Sequence, residues 1–76
     1  MTETMRVLKC LRDNEHCTLA QVAATTEIPT GRVFAALGAL VRNRQAARVP
    51  REGLQRYTVT EAGRTQVESW EVRHAG

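Results

Sequence analysis

Apolar side chains recur along this chain with two rhythms, one helical and one alternating, and the change between them divides it into elements. From Glu3 to Arg12, Met5, Leu8 and Leu11 fall at helical spacing, with Val7 and Cys10 widening the apolar side. Asp13-Asn14 ends that stretch, which predicts a helix of about three turns. Thr18 stands three residues before Gln21. This is the spacing of a reciprocal capping box, in which a hydroxyl and a side-chain amide satisfy two otherwise open backbone donors. The helix it opens, Leu19 to about Thr25, puts Leu19, Val22 and Ala23 on one side. Its small residues, Ala20 and Ala23, permit a close crossing with another helix.

Pro29 lacks an amide proton and disfavours helical geometry at Ile28, so one helix ends before it and another begins at or just after it. Ile28 is then a lone apolar residue in a turn, placed to plug the angle between two helices. From Gly31 to about Asn43, Val33, Leu37, Leu40 and Val41, with Ala36 between them, mark one broad apolar face. The other side carries Arg32, Ala35, Gly38, Ala39 and Arg42. Phe34 lies at the margin of the apolar face and is expected in the core or in a dimer contact. After Arg44 the period shortens: Ala47 and Val49 alternate with polar residues, Pro50-Arg51-Glu52-Gly53 reads as a turn, and Tyr57 and Val59 alternate again. Two short strands joined by a basic loop of about five to seven residues fit this pattern. An isolated hairpin is marginal in water, so this one is expected to lie against the helices. Thr60 caps a last helix containing Ala62, Val67, Trp70 and Val72, with Trp70 expected in the core or at a subunit interface. Residues 1–3 and 73–76 are expected to fray.

Seventy-six residues suffice for one compact domain. The net charge of +3 conceals an asymmetry: Thr30 through Arg64 hold seven basic and two acidic residues, whereas the segments on either side are each at −1. Such concentration is the condition for an electrostatic footprint on a polyanion. Cys10 and Cys17 form neither a disulfide framework nor a close metal-ligand pair, and no apolar run reaches the roughly 20 residues of a membrane span. The start, MTETMRVLKC, lacks the pattern of a signal peptide, so a reducing, cytoplasmic setting is the expectation.

Helix, helix, tight turn, helix, strand, basic loop, strand, helix is the order of a winged helix-turn-helix, mainly α with a small β-hairpin. The stretch TLAQVAATTEIPTGRVFAALGALVRNRQAARV, followed by RYTVTEAGR, resembles the MarR-like and related small bacterial and phage transcription regulators. Thr18, Leu19 and Ala20 match that family's opening of the first motif helix, Ile28 its apolar turn residue, Val33 and Leu40 its recognition helix, and Thr60 and Gly63 its Thr-x-x-Gly. The match covers about two-thirds of the chain. Two positions depart from the pattern: Pro29 stands where a Ser usually starts the recognition helix, and Arg44 where a Gly often precedes the first strand.

The resemblance implies a transcription regulator binding double-stranded DNA, with a recognition helix over about 30–43 in the major groove and a basic wing over about 48–57 on the backbone or minor groove. In that scheme Arg32, with its forked guanidinium, is the candidate base contact. Thr30 and Gly31 lie at the helix start, Arg42 and Arg44 reach backbone from its far end, and Arg48, Arg51 and Arg56 charge the wing. One such domain meets one half-site, leaving the amino-terminal helix and the Trp70 helix as surfaces for a homodimer. The alternative is a winged-helix protein-interaction module that meets a protein partner through the same faces without binding DNA. No glycine-rich phosphate cradle, nucleophile elbow or metal-binding helix is present in the sequence, so neither enzyme chemistry nor a cofactor is expected.

Overall fold

The computed structural model describes residues 1–75. In chain order its elements are α1 (Glu3–Asp13), β1 (Cys17–Thr18), α2 (Leu19–Thr26), α3 (Thr30–Arg42), β2 (Ala46–Arg51), β3 (Leu54–Val59) and α4 (Glu61–His74). Three of the four helices open on a threonine hydroxyl: Thr2 accepts from the Met5 amide, Thr18 from Gln21 and Thr60 from Gly63, each at 3.1 Å. At Thr18 the reciprocal bond is also made, the Gln21 side chain accepting from the Thr18 amide at 2.9 Å, so the predicted capping box is complete. The frayed end expected over residues 73–76 overlaps the last turn of α4, which continues through His74 with its ring stacked on Trp70. Gly76 lies outside the described residues.

Between α2 and α3 the chain turns in three residues. Glu27 adopts the left-handed region (φ 59°) and closes α2 through its amide, bonded to the Ala23 carbonyl. The buried Thr26 hydroxyl donates to the Val22 carbonyl at 2.7 Å and lies 3.4 Å from the Ile28 amide, which it accepts. These bonds satisfy polar groups that would otherwise be stranded against the apolar angle that Ile28 fills. Ile28 is buried together with Val33, Leu37 and Leu40 of α3, against Val7, Leu8 and Leu11 of α1, Val22 of α2 and Val67 of α4. Each such side chain contributes about 1.5–3 kcal/mol by leaving water, which makes the inner face of α3 the central surface of a small core.

The sheet order is β1-β3-β2, all antiparallel. Two features differ from the sequence expectation. The two-residue β1, pairing Cys17 with Tyr57 and Thr18 with Arg56, adds a third strand too short to show a period. The wing strands are also longer and their loop shorter than expected: Arg51 pairs with Leu54 across Glu52-Gly53, and the φ values of 53° and 77° there are those of a type I′ hairpin turn.

The base of the wing is locked to the end of α3 and the start of α4. The Gln45 amide donates to the Leu40 carbonyl at 2.9 Å, and the Gln45 carbonyl accepts from the Thr60 amide at 3.1 Å. The Thr60 hydroxyl donates to the Arg44 carbonyl at 2.7 Å while capping α4. Gly63 is packed so tightly beneath this knot that a Cβ would overlap the Gln45 carbonyl oxygen and stand 2.9 Å from Val59 Cγ2. At the far end of α4, Arg12 of α1 grips Glu71 with two bonds of 2.6 and 2.9 Å, and this guanidinium holds the Glu71 carboxyl below its ordinary range. Cys10 and Cys17 are buried free thiols, and burial, reinforced by Cys10, pushes the Cys17 thiol up to about 11.

Two outcomes follow from this packing. Gly63→Ala should lower folding stability by about 3 kcal/mol, read from the urea midpoint, because the colliding atom is backbone and cannot rotate away. Cys17 carries a raised folded pKa, so its contribution is intact below the ordinary value of 9.0 and is lost as pH rises from there to about 11. The fall in melting temperature over that interval should be shallower in Cys17→Ala, and equal slopes would refute the assignment.

Candidate nucleic-acid interface

A helix turns 100° per residue, so positions 31, 35, 38 and 42 line up along one side of α3, with 34 and 32 on opposite flanks of that row. Thr30, Gly31, Arg32, Phe34, Ala35 and Arg42 are exposed, whereas Val33, Ala36, Leu37 and Leu40 are buried. The expected division of α3 into a core face and a free face is therefore present. Pro29 caps α3 without a side-chain hydrogen bond, and no acidic residue stands in its first turn. Among the described residues, no side chain caps the positive end of the helix.

The free face differs in chemistry from the expectation. Arg32 is exposed, its side chain at 64%, but it turns toward the amino end of α1 and pairs with Glu3 at 3.1 Å. It borders a shallow groove with Glu3, Thr4, Ala35, Ala36 and Ala39. Phe34, expected in the core or a dimer contact, is 60% exposed on the opposite flank. A period count placed it at the margin of the apolar face, and the inward positions are taken by Val33 and Leu37, which leaves the ring outside the core.

In the wing the pleat separates the arginines. Directly opposed residues share a face, so Arg48 lies with Tyr57 and Pro50 on one side, and Arg51 with Leu54, Val49 and Arg56 on the other. Arg56 is half-buried and donates to the His16 carbonyl at 2.9 Å, which ties β3 to the loop before β1. Arg48 and Arg51 are exposed toward the tip, as is Leu54 at 52%. Arg44 is exposed in the left-handed region, φ 60°, at the junction where glycine is the residue without steric penalty. Arg42, Arg44, Arg48 and Arg51 make no ion pair among the described residues. Nor, among those residues, is there a group of three or more His, Cys, Asp or Glu able to hold a metal ion, or a helix long and apolar enough to cross a membrane.

A buried helix face, a tight turn, an exposed second helix and a two-stranded wing define a winged helix-turn-helix domain. Its fold is that of the MarR-type regulators. BpsR of Bordetella bronchiseptica, whose DNA binding is regulated by 6-hydroxynicotinic acid, superposes with a TM-score of 0.87 and 28% identity over 99% of this chain and 56% of its own. A MarR family protein from Bacillus stearothermophilus gives 0.85 and 19% identity over 96% and 53%. FabT of Streptococcus pneumoniae, solved in complex with DNA, gives 0.83 and 21% identity over 95% and 52%. The chain thus spans about half the length of the solved structures it matches. No protein-family model and no curated protein matches the sequence.

The left-handed backbone at Arg44 sets an expectation for folding stability. A non-glycine residue in that region costs roughly 1–2 kcal/mol, partly offset by the greater unfolded-state freedom of glycine. Arg44→Gly should therefore gain about 0.5–1 kcal/mol in chemical denaturation, and a loss would show that the arginine side chain holds the junction.

Proposed function

We propose that this chain is the duplex-DNA-binding domain of a transcription regulator, with α3 entering the major groove and the wing lying along the adjacent backbone or minor groove. The observation that carries this reading is the run of four exposed arginines without an ion pair among the described residues, Arg42, Arg44, Arg48 and Arg51, arranged from the end of α3 to the tip of the wing on a MarR-type scaffold. Like charges so placed repel one another until an anion offsets them, and a regular line of phosphates is the anion that suits their spread. The uncapped start of α3 at Thr30 and Gly31 supports a further phosphate contact. Arg32 serves as a base or phosphate contact once it leaves Glu3; an exposed pair of this kind is worth about 0–1 kcal/mol, so the exchange is cheap. Arg56 acts chiefly through the His16 carbonyl, positioning the wing. The DNA complex of FabT and the regulated DNA binding of BpsR lend support by likeness of fold.

Two copies on a two-fold site would supply the affinity that one half-site lacks. On α4 the half-buried Trp70 and the exposed Val72 offer an apolar surface for pairing, beside the outer side of α1. The cytoplasm is the compartment this reading requires. A second reading, a protein-interaction module, draws on the exposure of Phe34 and Leu54.

Fluorescence anisotropy with duplex DNA across a range of salt tests the proposal. The logarithm of affinity should fall linearly with the logarithm of salt, and Arg51→Ala should weaken all duplexes alike while making the slope shallower by about 1. No duplex binding at low salt would reject the DNA reading and leave the protein-interaction module.

A further inference from the structure

If α3 reads bases, its free face reads them with very few hydrogen-bonding groups. Between Gly31 and Arg42 the exposed or half-exposed positions away from the α1 flank are Phe34, Gly38 and Val41, and none has a polar side chain. Added Cβ atoms at Gly31 or Gly38 would meet nothing within 4 Å, so these positions present bare backbone. Arg32, the group best suited to a guanine edge, is drawn to the α1 side by Glu3. The large projecting group is the phenyl ring of Phe34.

A ring this exposed beside a core is a poor solution for an isolated chain, because it leaves apolar area in water. Its surroundings identify what covers it. α3 contains Arg32 and Arg42 and no acidic residue, and Arg44 follows two residues after its end, exposed and without an ion pair among the described residues. An apolar group on a helix whose charged side chains are all cationic is complementary to a major groove, where phosphates flank base edges. One base edge there carries an apolar projection, the C5-methyl group of thymine. We propose that Phe34 is a specificity-determining residue that covers a thymine methyl group, so that this domain selects its sites partly by apolar contact. Ala35 and Gly38 beside the ring add no bulk, which lets the ring reach the groove floor. This inference rests on the DNA-binding reading.

The test uses the full chain and duplexes selected by it from a random library, each remade with deoxyuridine replacing one thymine at a time. Uracil keeps every hydrogen-bonding group of thymine and loses only the methyl. Covering one methyl corresponds to about a fourfold change in affinity, so at one or two positions the uracil duplex should bind about fourfold more weakly. In Phe34→Ala that ratio should fall to about 1 with the salt dependence unchanged. Arg51→Ala should bind every duplex more weakly yet keep the fourfold ratio. Phe34 lies outside the core, and an unchanged melting temperature of Phe34→Ala would confirm that folding is intact. A thymine-to-uracil ratio of about 1 at every position in the parent, or a ratio that survives Phe34→Ala, would overturn the proposal while leaving DNA binding in place. Failure of the parent to bind any duplex would overturn both and return Phe34 to a protein contact.

Discussion

The orientation of the wing depends on the absence of one methyl group. Gly63 allows the first turn of α4 to lie against the Gln45 carbonyl, which accepts from the Thr60 amide, while the Gln45 amide closes the end of α3 through Leu40. Three elements thereby meet at one peptide: the end of the candidate recognition helix, the first residues of the wing and the cap of the closing helix. A shift of that junction would move Arg48 and Arg51 relative to α3, even if every core residue stayed buried. The Thr-x-x-Gly resemblance therefore has a mechanical cause, since Thr60 supplies the cap and the Arg44 bond and Gly63 supplies the space.

Arg12 and the arginines of α3, the junction and the wing fall into two groups that charge counting alone merges. Arg12 and Arg56 are committed to the chain itself, one joining α1 to α4 through Glu71 and the other fastening β3 to the loop ahead of β1. Arg42, Arg44, Arg48 and Arg51 are left facing solvent without partners among the described residues, and they follow one another from α3 into the wing. Arg32 stands between the groups, since its pair with Glu3 is exposed on both sides and weak enough to exchange. The stretch from the end of α3 to the wing tip therefore carries positive charge that is not spent on ion pairs among the described residues.

Much of this was legible in the sequence because it rests on local rules. The Thr18-to-Gln21 spacing required a helix start, Pro29 required a break, and the period of Val33, Leu37 and Leu40 oriented α3 before any tertiary contact was known. What escaped was set by contacts between distant segments. β1 exists because Tyr57 and Arg56 of β3 lie beside Cys17 and Thr18, and two residues carry no period. Arg32 finds Glu3, and Arg56 finds His16, across separations no window spans. The turn was overestimated because Glu52 takes φ 53° without being glycine, so the shortest hairpin had no obvious signal in its first position. Of the two places expected for Phe34, the structure excludes the core, because a period count gives an angle, and at the margin of a face the angle leaves burial to the neighbours.

Reading by apolar contact has a consequence for how such a domain is used. A bidentate hydrogen-bonded base contact is worth about 1–3 kcal/mol of discrimination, whereas one covered methyl group is worth about 0.8 kcal/mol. With Phe34 as the main projecting group and Arg32 the one arginine placed for a base edge, a single copy would draw its discrimination from very few contacts. Selectivity then has to be multiplied, and two copies on a symmetric site double the apolar contacts in free-energy terms while excluding sites of wrong spacing. That requirement falls on surfaces away from α3 and the wing, where α4 keeps Val72 in solvent and Trp70 only half covered. On the proposed reading, the few base contacts of α3 and the incompletely covered α4 would be two sides of one design, in which specificity is shared between copies.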